Sequence, residues 1–202
     1  LAALTAQATS YAIHPGVAEA ARATAAAAVL AAADVELGDY HLARVRHGLE
    51  TESAGGGETV VDAARRGVPY LMRAQRWDAA STLLEKMLQR DQSPEALAYA
   101  LPLLERIVTA TAGTDRGLSD AGVLARALRW AGRREEAERR LRDLIPRARQ
   151  QGDHRLASGA AGDLANLLLG SGRLNEALEV IEAMADDTRR AGLGPWTRLA
   201  DE

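Results

Sequence analysis

Residues 163–185, DLANLLLGSGRLNEALEVIEAMA, constrain the fold of this chain more than any other stretch. Leu164, Leu167 and Leu168 fall at helical spacing before Gly170-Ser171-Gly172, and Leu174, Ala177, Leu178, Ile181 and Met184 do so after it. The glycines supply a helix stop, and so short a connection makes the two helices antiparallel neighbours. Ala177 is small enough to let the backbones approach. The same pattern occurs forty residues earlier: Gly132 corresponds to Gly172, Ala137 to Ala177, Leu141 to Ile181 and Leu144 to Met184. Weaker copies are Gln75-Arg76-Trp77-Asp78-Ala79-Ala80, followed by Leu84 and Met87, and Gly38-Asp39-Tyr40-His41-Leu42-Ala43. The anchoring alanines are Ala43, Ala80, Ala137 and Ala177, spaced by 37, 57 and 40 residues. Self-similarity near this period is the mark of a helical array.

Composition agrees. Phe and Cys are absent and aromatics make up only 3% of the 202 residues, so Ala and Leu do the packing, which suits helices better than strands. Net charge is −3, which gives no reason to expect a nucleic-acid partner. The longest apolar run, residues 25–33, is too short to span a membrane, which needs about 20 apolar residues. The chain begins at Leu1 and carries no targeting signal, so it reads as an internal or C-terminal piece of a longer cytoplasmic protein.

At Gly38-Asp39-Tyr40-His41-Leu42-Ala43, Gly132-Arg133-Arg134-Glu135-Glu136-Ala137 and Gly172-Arg173-Leu174-Asn175-Glu176-Ala177 the chain resembles the turn and second-helix start of tetratricopeptide (TPR) repeats. The likeness covers about residues 16–192, with the family's first-helix Trp, Gly and Tyr replaced by Ala121, Ala125 and Leu128 and by Ala161, Ala165 and Leu168. The units are longer than the usual ~34 residues. They resemble the divergent repeats beside the nucleotide-binding switch of large bacterial STAND-type signalling ATPases. The resemblance implies an all-α, right-handed α-solenoid of antiparallel helix pairs. We expect one domain over residues 1–202, with about four pairs plus one extra helix near 94–111.

In chain order, residues 1–13 read as the end of a preceding helix, closed by His14-Pro15-Gly16. Residues 17–37 read as a long first helix whose partner starts after Gly38-Asp39. Residues 53–57 form a linker. Residues 59–74 and 77–90 form the next pair, with a kink expected at Pro69. Ser93 caps a helix with Pro94 in its first turn, which Pro102 bends or splits. Residues 118–131 pair with 133–151, which Pro146 bends, and residues 154–171 pair with 174–191. Trp196 is expected to pack against the open end.

No catalytic, cofactor or metal constellation emerges. His14, His41, His47 and His154 show no zinc spacing, and Gly55-Gly56-Gly57-Glu58-Thr59 lacks the Lys-Ser/Thr of a phosphate loop. No serine sits in a nucleophile elbow, and Asp186 and Asp187 diverge on their helix. The run Arg133, Arg134, Arg139, Arg140 and Arg142 alternates with Glu135, Glu136, Glu138 and Asp143, which reads as a salt-bridged outer face.

What remains is a surface. With Leu124, Leu128, Leu164 and Leu168 turned to the core, the other side of the first helices carries Arg126, Arg129 and Trp130 in one repeat and Asn166 and Leu169 in the next. Arg65, Met72 and Arg73 are expected to join them from the earlier repeat. Arginine beside an apolar anchor suits an acidic peptide or a C-terminal carboxylate. The resemblance implies the same, since TPR repeats bind peptides in that groove. The expected function is a non-catalytic protein-binding scaffold or sensor in a larger signalling protein. The alternative is a structural module for self-association or intramolecular docking with no free ligand.

Overall fold

The computed structural model describes residues 15–192. The expectations for residues 1–13, His14 and Trp196 lie outside them. Among the described residues the chain is all helical, without strands. In order the helices are α1 (Pro15–Thr24), α2 (Ala27–Glu50), α3 (Gly57–Arg73), α4 (Trp77–Leu88), α5 (Pro94–Ala110), α6 (Gly117–Trp130), α7 (Arg134–Gln150), α8 (His154–Leu169) and α9 (Leu174–Arg190). A short 3-10 turn, Glu52–Ala54, follows α2. From α2 onward each helix packs on the next, giving an α-solenoid of antiparallel helices.

One turn geometry makes most of these reversals. Gln75, Gly132, Gly152 and Gly172 all have φ between 56° and 76°. The next residue's N–H then reaches back five residues: Arg76 to Leu71, Arg133 to Leu128, Asp153 to Ala148 and Arg173 to Leu168, each at 2.9–3.0 Å. This left-handed closure satisfies carbonyls that the helix end would leave bare. Four residues after each closure stands an alanine with no more than 0% exposure: Ala80, Ala137, Ala157 and Ala177. The sequence reading found three of these. It missed Ala157, because the α7–α8 connection was not matched to the others.

Two expectations are corrected. The first helix does not end at Gly38-Asp39, because α2 runs through them. Gly38 is a contact residue: a Cβ there would lie 2.9 Å from Leu71 Cδ2. Gly67 lets α3 approach in the same way, since its Cβ would lie 2.6 Å from His41 Cβ. Glycine therefore serves close packing of α2 on α3 here, and Ala43, exposed on α2, anchors nothing. The second correction concerns α5. It is one continuous helix containing Pro102, capped by Ser93 Oγ, which accepts from the Ala96 N–H at 3.2 Å. It packs on α4 and on α6 as a member of the series. Contacts also run between α2 and α4, between α4 and α6, and between α6 and α8. Even-numbered helices therefore form one row, and α4 rather than α3 is the row-mate of α6.

The core falls into two clusters along the stack. Leu71, Leu84, Met87, Leu104 and Leu128 fill the N-terminal part, and Leu141, Leu144, Leu164 and Leu168 the C-terminal part. Outside it, arginines tie helix to helix. Arg149 donates to Asp187 through Nε and Nη2 at 2.9 and 2.7 Å, and His154 Nδ1 lies 3.2 Å from the same carboxylate. Arg173 bridges Glu138 and Glu176. The expected outer face of α7 is present as Arg133–Glu136, Arg140–Glu136 and Arg142–Glu138 pairs.

Two outcomes follow. Gln75 carries a side chain in the left-handed region where the equivalent turns have glycine. Gln75→Gly should raise stability by about 0.5–1 kcal/mol, read by denaturant unfolding. Burial works to raise the pKa of Asp187, but hydrogen bonds from Arg149 and His154 outweigh it and hold the carboxyl below the usual range. A depressed folded pKa contributes stability that is complete above the unfolded value of about 3.9 and is lost as pH falls through the folded one. The melting temperature should therefore fall below about pH 4, and Asp187→Asn should lower it at neutral pH while flattening that acid slope.

Candidate functional site

The most organised polar feature runs across three helices of one row. Arg126 of α6 donates from Nη1 to Glu85 of α4 at 2.7 Å and from Nε to Asp163 of α8 at 3.0 Å. Arg129, one turn further, donates from Nη2 to the other Asp163 oxygen at 3.2 Å. The four side chains are only 13–29% exposed. Burial works against the Arg126 charge, yet Asp163 and Glu85 outweigh it, so the guanidinium holds its proton more tightly than usual. Arg129 also lies 5.8 Å from the centroid of the half-buried Trp130 ring. Helical spacing puts 126 and 129 on one side of α6, as the sequence reading expected.

Beside this chain of charges a cleft of about 250 Å³ opens between α6 and the first half of α8. Its lining includes Ser119, Gly122, Arg155, Leu156 and Gly159, with Arg126 and Asp163 at one edge. A Cβ on the exposed Gly159 would meet nothing within 4 Å, so the space beside this lining residue is open. Asp153 caps α8 by accepting from the Leu156 N–H at 2.9 Å. Arg155 is exposed and makes no hydrogen bond or ion pair among the described residues.

The other predicted residues lie elsewhere. Arg73 forms a two-pronged pair with Asp34 of α2, at 2.7 and 3.0 Å. Met72 is buried at 6% exposure. Arg65 lies 3.8 Å from Asp91, and its carbonyl accepts from the Tyr99 hydroxyl at 2.8 Å. Among the described residues no hydrogen bond or ion pair joins Arg65 or Arg73 to the Arg126 group. The reason is the row register: Arg65, Met72 and Arg73 stand on α3, whereas α4 is the neighbour of α6. Asn166 is exposed on α8, and Leu169 is 45% exposed. None of Arg65, Arg73, Arg126 and Arg129 offers an unoccupied guanidinium, since each already faces a carboxylate.

Sequence reasoning missed Glu85, Asp163, Arg155 and Gly159. A signal existed for Asp163, an acidic residue one helical turn before Asn166, the position forty residues after Arg126. It also missed Asp120, which is fully buried with both carboxylate oxygens unpartnered among the described residues. Asp120 lies in the first turn of α6, where the helix dipole favours a negative group. No group of three or more metal-ligating side chains occurs among the described residues. No described helix is long and apolar enough to cross a membrane.

No family model matches the chain, and no curated protein matches it. Two solved structures are similar, both of a Podosopora anserina protein described as a kinesin light chain with nearly identical TPR-like repeats. One aligns at 17% identity and TM-score 0.46 over 80% of this chain and 99% of that one. A single-substitution form of it aligns at 18% identity and TM-score 0.46 over 80% and 98%.

The ion-pair chain yields a measurable coupling. Asp163→Ala leaves two partly buried guanidinium groups short of a partner and should cost about 1–3 kcal/mol. In a double-mutant cycle with Arg126→Ala, the coupling energy should be at least about 0.5 kcal/mol, and additive effects would contradict the geometry.

Proposed function

We propose that this chain is a non-catalytic protein-interaction module that takes an extended peptide segment of a partner protein across the face of α4, α6 and α8. The observation that carries this reading is the cleft between α6 and α8, lined in part by Gly122 and Gly159, beside arginines already paired with carboxylates of the scaffold. A rigid, preformed recess loses little entropy when a side chain enters it. Arg155 at its rim can accept a carboxylate with a free guanidinium fork. Any preference for an acidic or C-terminal carboxylate partner therefore rests on Arg155, because Arg126 and Arg129 are committed to Asp163 and Glu85. Service in a larger cytoplasmic signalling or regulatory protein is the finer reading, supported by the repeat resemblance at Gly132–Ala137 and Gly172–Ala177. The alternative, a self-association or intramolecular docking module with no free ligand, is favoured by the apolar side chains exposed on α2 and α9, such as Tyr40 and Leu178.

The test is selection of a random peptide display library on the whole chain, followed by affinity measurements on two variants. Gly159→Leu plugs the cleft, and the melting temperature should hold or rise because helical glycine is unfavourable. Peptides selected on the native chain should lose at least about tenfold in affinity to Gly159→Leu and to Arg155→Glu. No enrichment, or unchanged binding to Gly159→Leu, contradicts the proposal.

A further inference from the structure

A second recess lies between the start of α4 and the second half of α5. Trp77 of α4 and Pro102, Glu105, Arg106, Thr109 and Ala110 of α5 line a groove of about 530 Å³. It shares no lining residue with the α6–α8 cleft, and described helices stand on both sides of it in the stack. The connections account for it. Short turns at 74–76, 131–133, 151–153 and 170–173 carry the positive-φ closure that seats one helix on the next. Residues 89–93, between α4 and α5, contain no residue of positive φ, and α5 starts from the Ser93 cap instead. No closure therefore draws α5 onto the start of α4, and Trp77 is left half-buried.

Helical spacing puts Pro102, Arg106 and Thr109 on one exposed side of α5. Thr109 Oγ1 donates to the Glu105 carbonyl at 2.9 Å. The Glu105 carboxylate lies 3.6 Å from Arg133. The Arg106 side chain makes no hydrogen bond or ion pair among the described residues. The groove thus sets an indole and a proline ring against one uncommitted guanidinium, and its single carboxylate already faces a cation. Trp and Arg are among the side chains that most often dominate binding at protein interfaces. An occupant matched to this lining brings an apolar side chain and a negative charge. The α5 residues of the lining are all exposed, so the groove is open along its length and suits a stretch of chain rather than an enclosed small molecule.

We infer that this groove binds a segment of a partner protein in which an aliphatic residue neighbours a glutamate or aspartate. The aliphatic side chain packs on Trp77 and Pro102, and the carboxylate pairs with the Arg106 fork. A basic side chain finds no free acceptor there, because the Glu105 carboxylate faces Arg133. The contact is open to solvent, so the charge pair adds selectivity more than affinity. It stands whether or not the α6–α8 cleft is occupied.

The experiment is a nuclear magnetic resonance titration of the whole chain that follows the Trp77 indole N–H, assigned by its loss in Trp77→Phe. The probes are two blocked pentapeptides at up to about 10 mM, acetyl-Ala-Leu-Glu-Leu-Ala-amide and the same peptide with glutamine in place of glutamate. The glutamate peptide should move the Trp77 signal saturably, and the glutamine peptide should bind about fivefold more weakly. Arg106→Gln changes an exposed side chain that has no partner, and it should bring the glutamate peptide down to the glutamine one. Gly159→Leu and Arg155→Glu should leave the titration unchanged. A Trp77 signal that does not move, equal binding of the two peptides, or a difference that survives Arg106→Gln overturns the inference. Loss of binding in Gly159→Leu overturns it too, since that outcome puts the peptide in the α6–α8 cleft.

Discussion

One backbone closure sets helix against helix in this molecule. A residue with positive φ ends a helix, and its successor's N–H reaches the carbonyl five residues back, as at Arg76, Arg133, Asp153 and Arg173. The bond leaves few helix-end groups unsatisfied and fixes the direction in which the chain departs. Four residues on, Ala80, Ala137, Ala157 or Ala177 lies fully buried. The closure sets the angle and the alanine sets the distance, and the leucine core fills what these two define.

This device explains which parts of the fold were legible in sequence. Two apolar stripes joined by a Gly turn, as around Gly132 and Gly172, specify an antiparallel pair locally, and Ser93-Pro94 marks a helix start by capping chemistry alone. Row register is not local. The closure at Gln75 leads from α3 into α4, and that at Gly152 leads from α7 into α8, so both cross from the odd row to the even one. Those at Gly132 and Gly172 cross the other way. The same residues and the same hydrogen bond serve either crossing, so the motif at Gln75–Ala80 carries no mark of its row. Counting α5 as an insertion followed from that ambiguity. Gly38 misled for a related reason: glycine ends helices, but it also admits a close neighbour, and only Leu71 across the contact distinguishes the two.

The same shift of register decides the candidate site. Arg126, Arg129 and Trp130 were found together because helical spacing within α6 suffices to group them. Their partners Glu85 and Asp163 lie on other helices, and choosing them requires the row order. Arginines that read as free recognition groups are thereby committed to the scaffold, where partly shielded carboxylates hold them in place. They stiffen the rim of the α6–α8 cleft, and open contact falls to Arg155 and to the space above Gly159.

The central claim is that α4, α6 and α8 form one row. It is open to a direct chemical measurement, because the chain has no native cysteine. Cysteine pairs can be installed at 85 and 126, and separately at 73 and 126, and treated with a short bismaleimide at low protein concentration. The row order predicts rapid intramolecular crosslinking of the Glu85→Cys, Arg126→Cys protein and little or none of the Arg73→Cys, Arg126→Cys protein. Preferential crosslinking of the second pair would place α3 beside α6 and contradict the account.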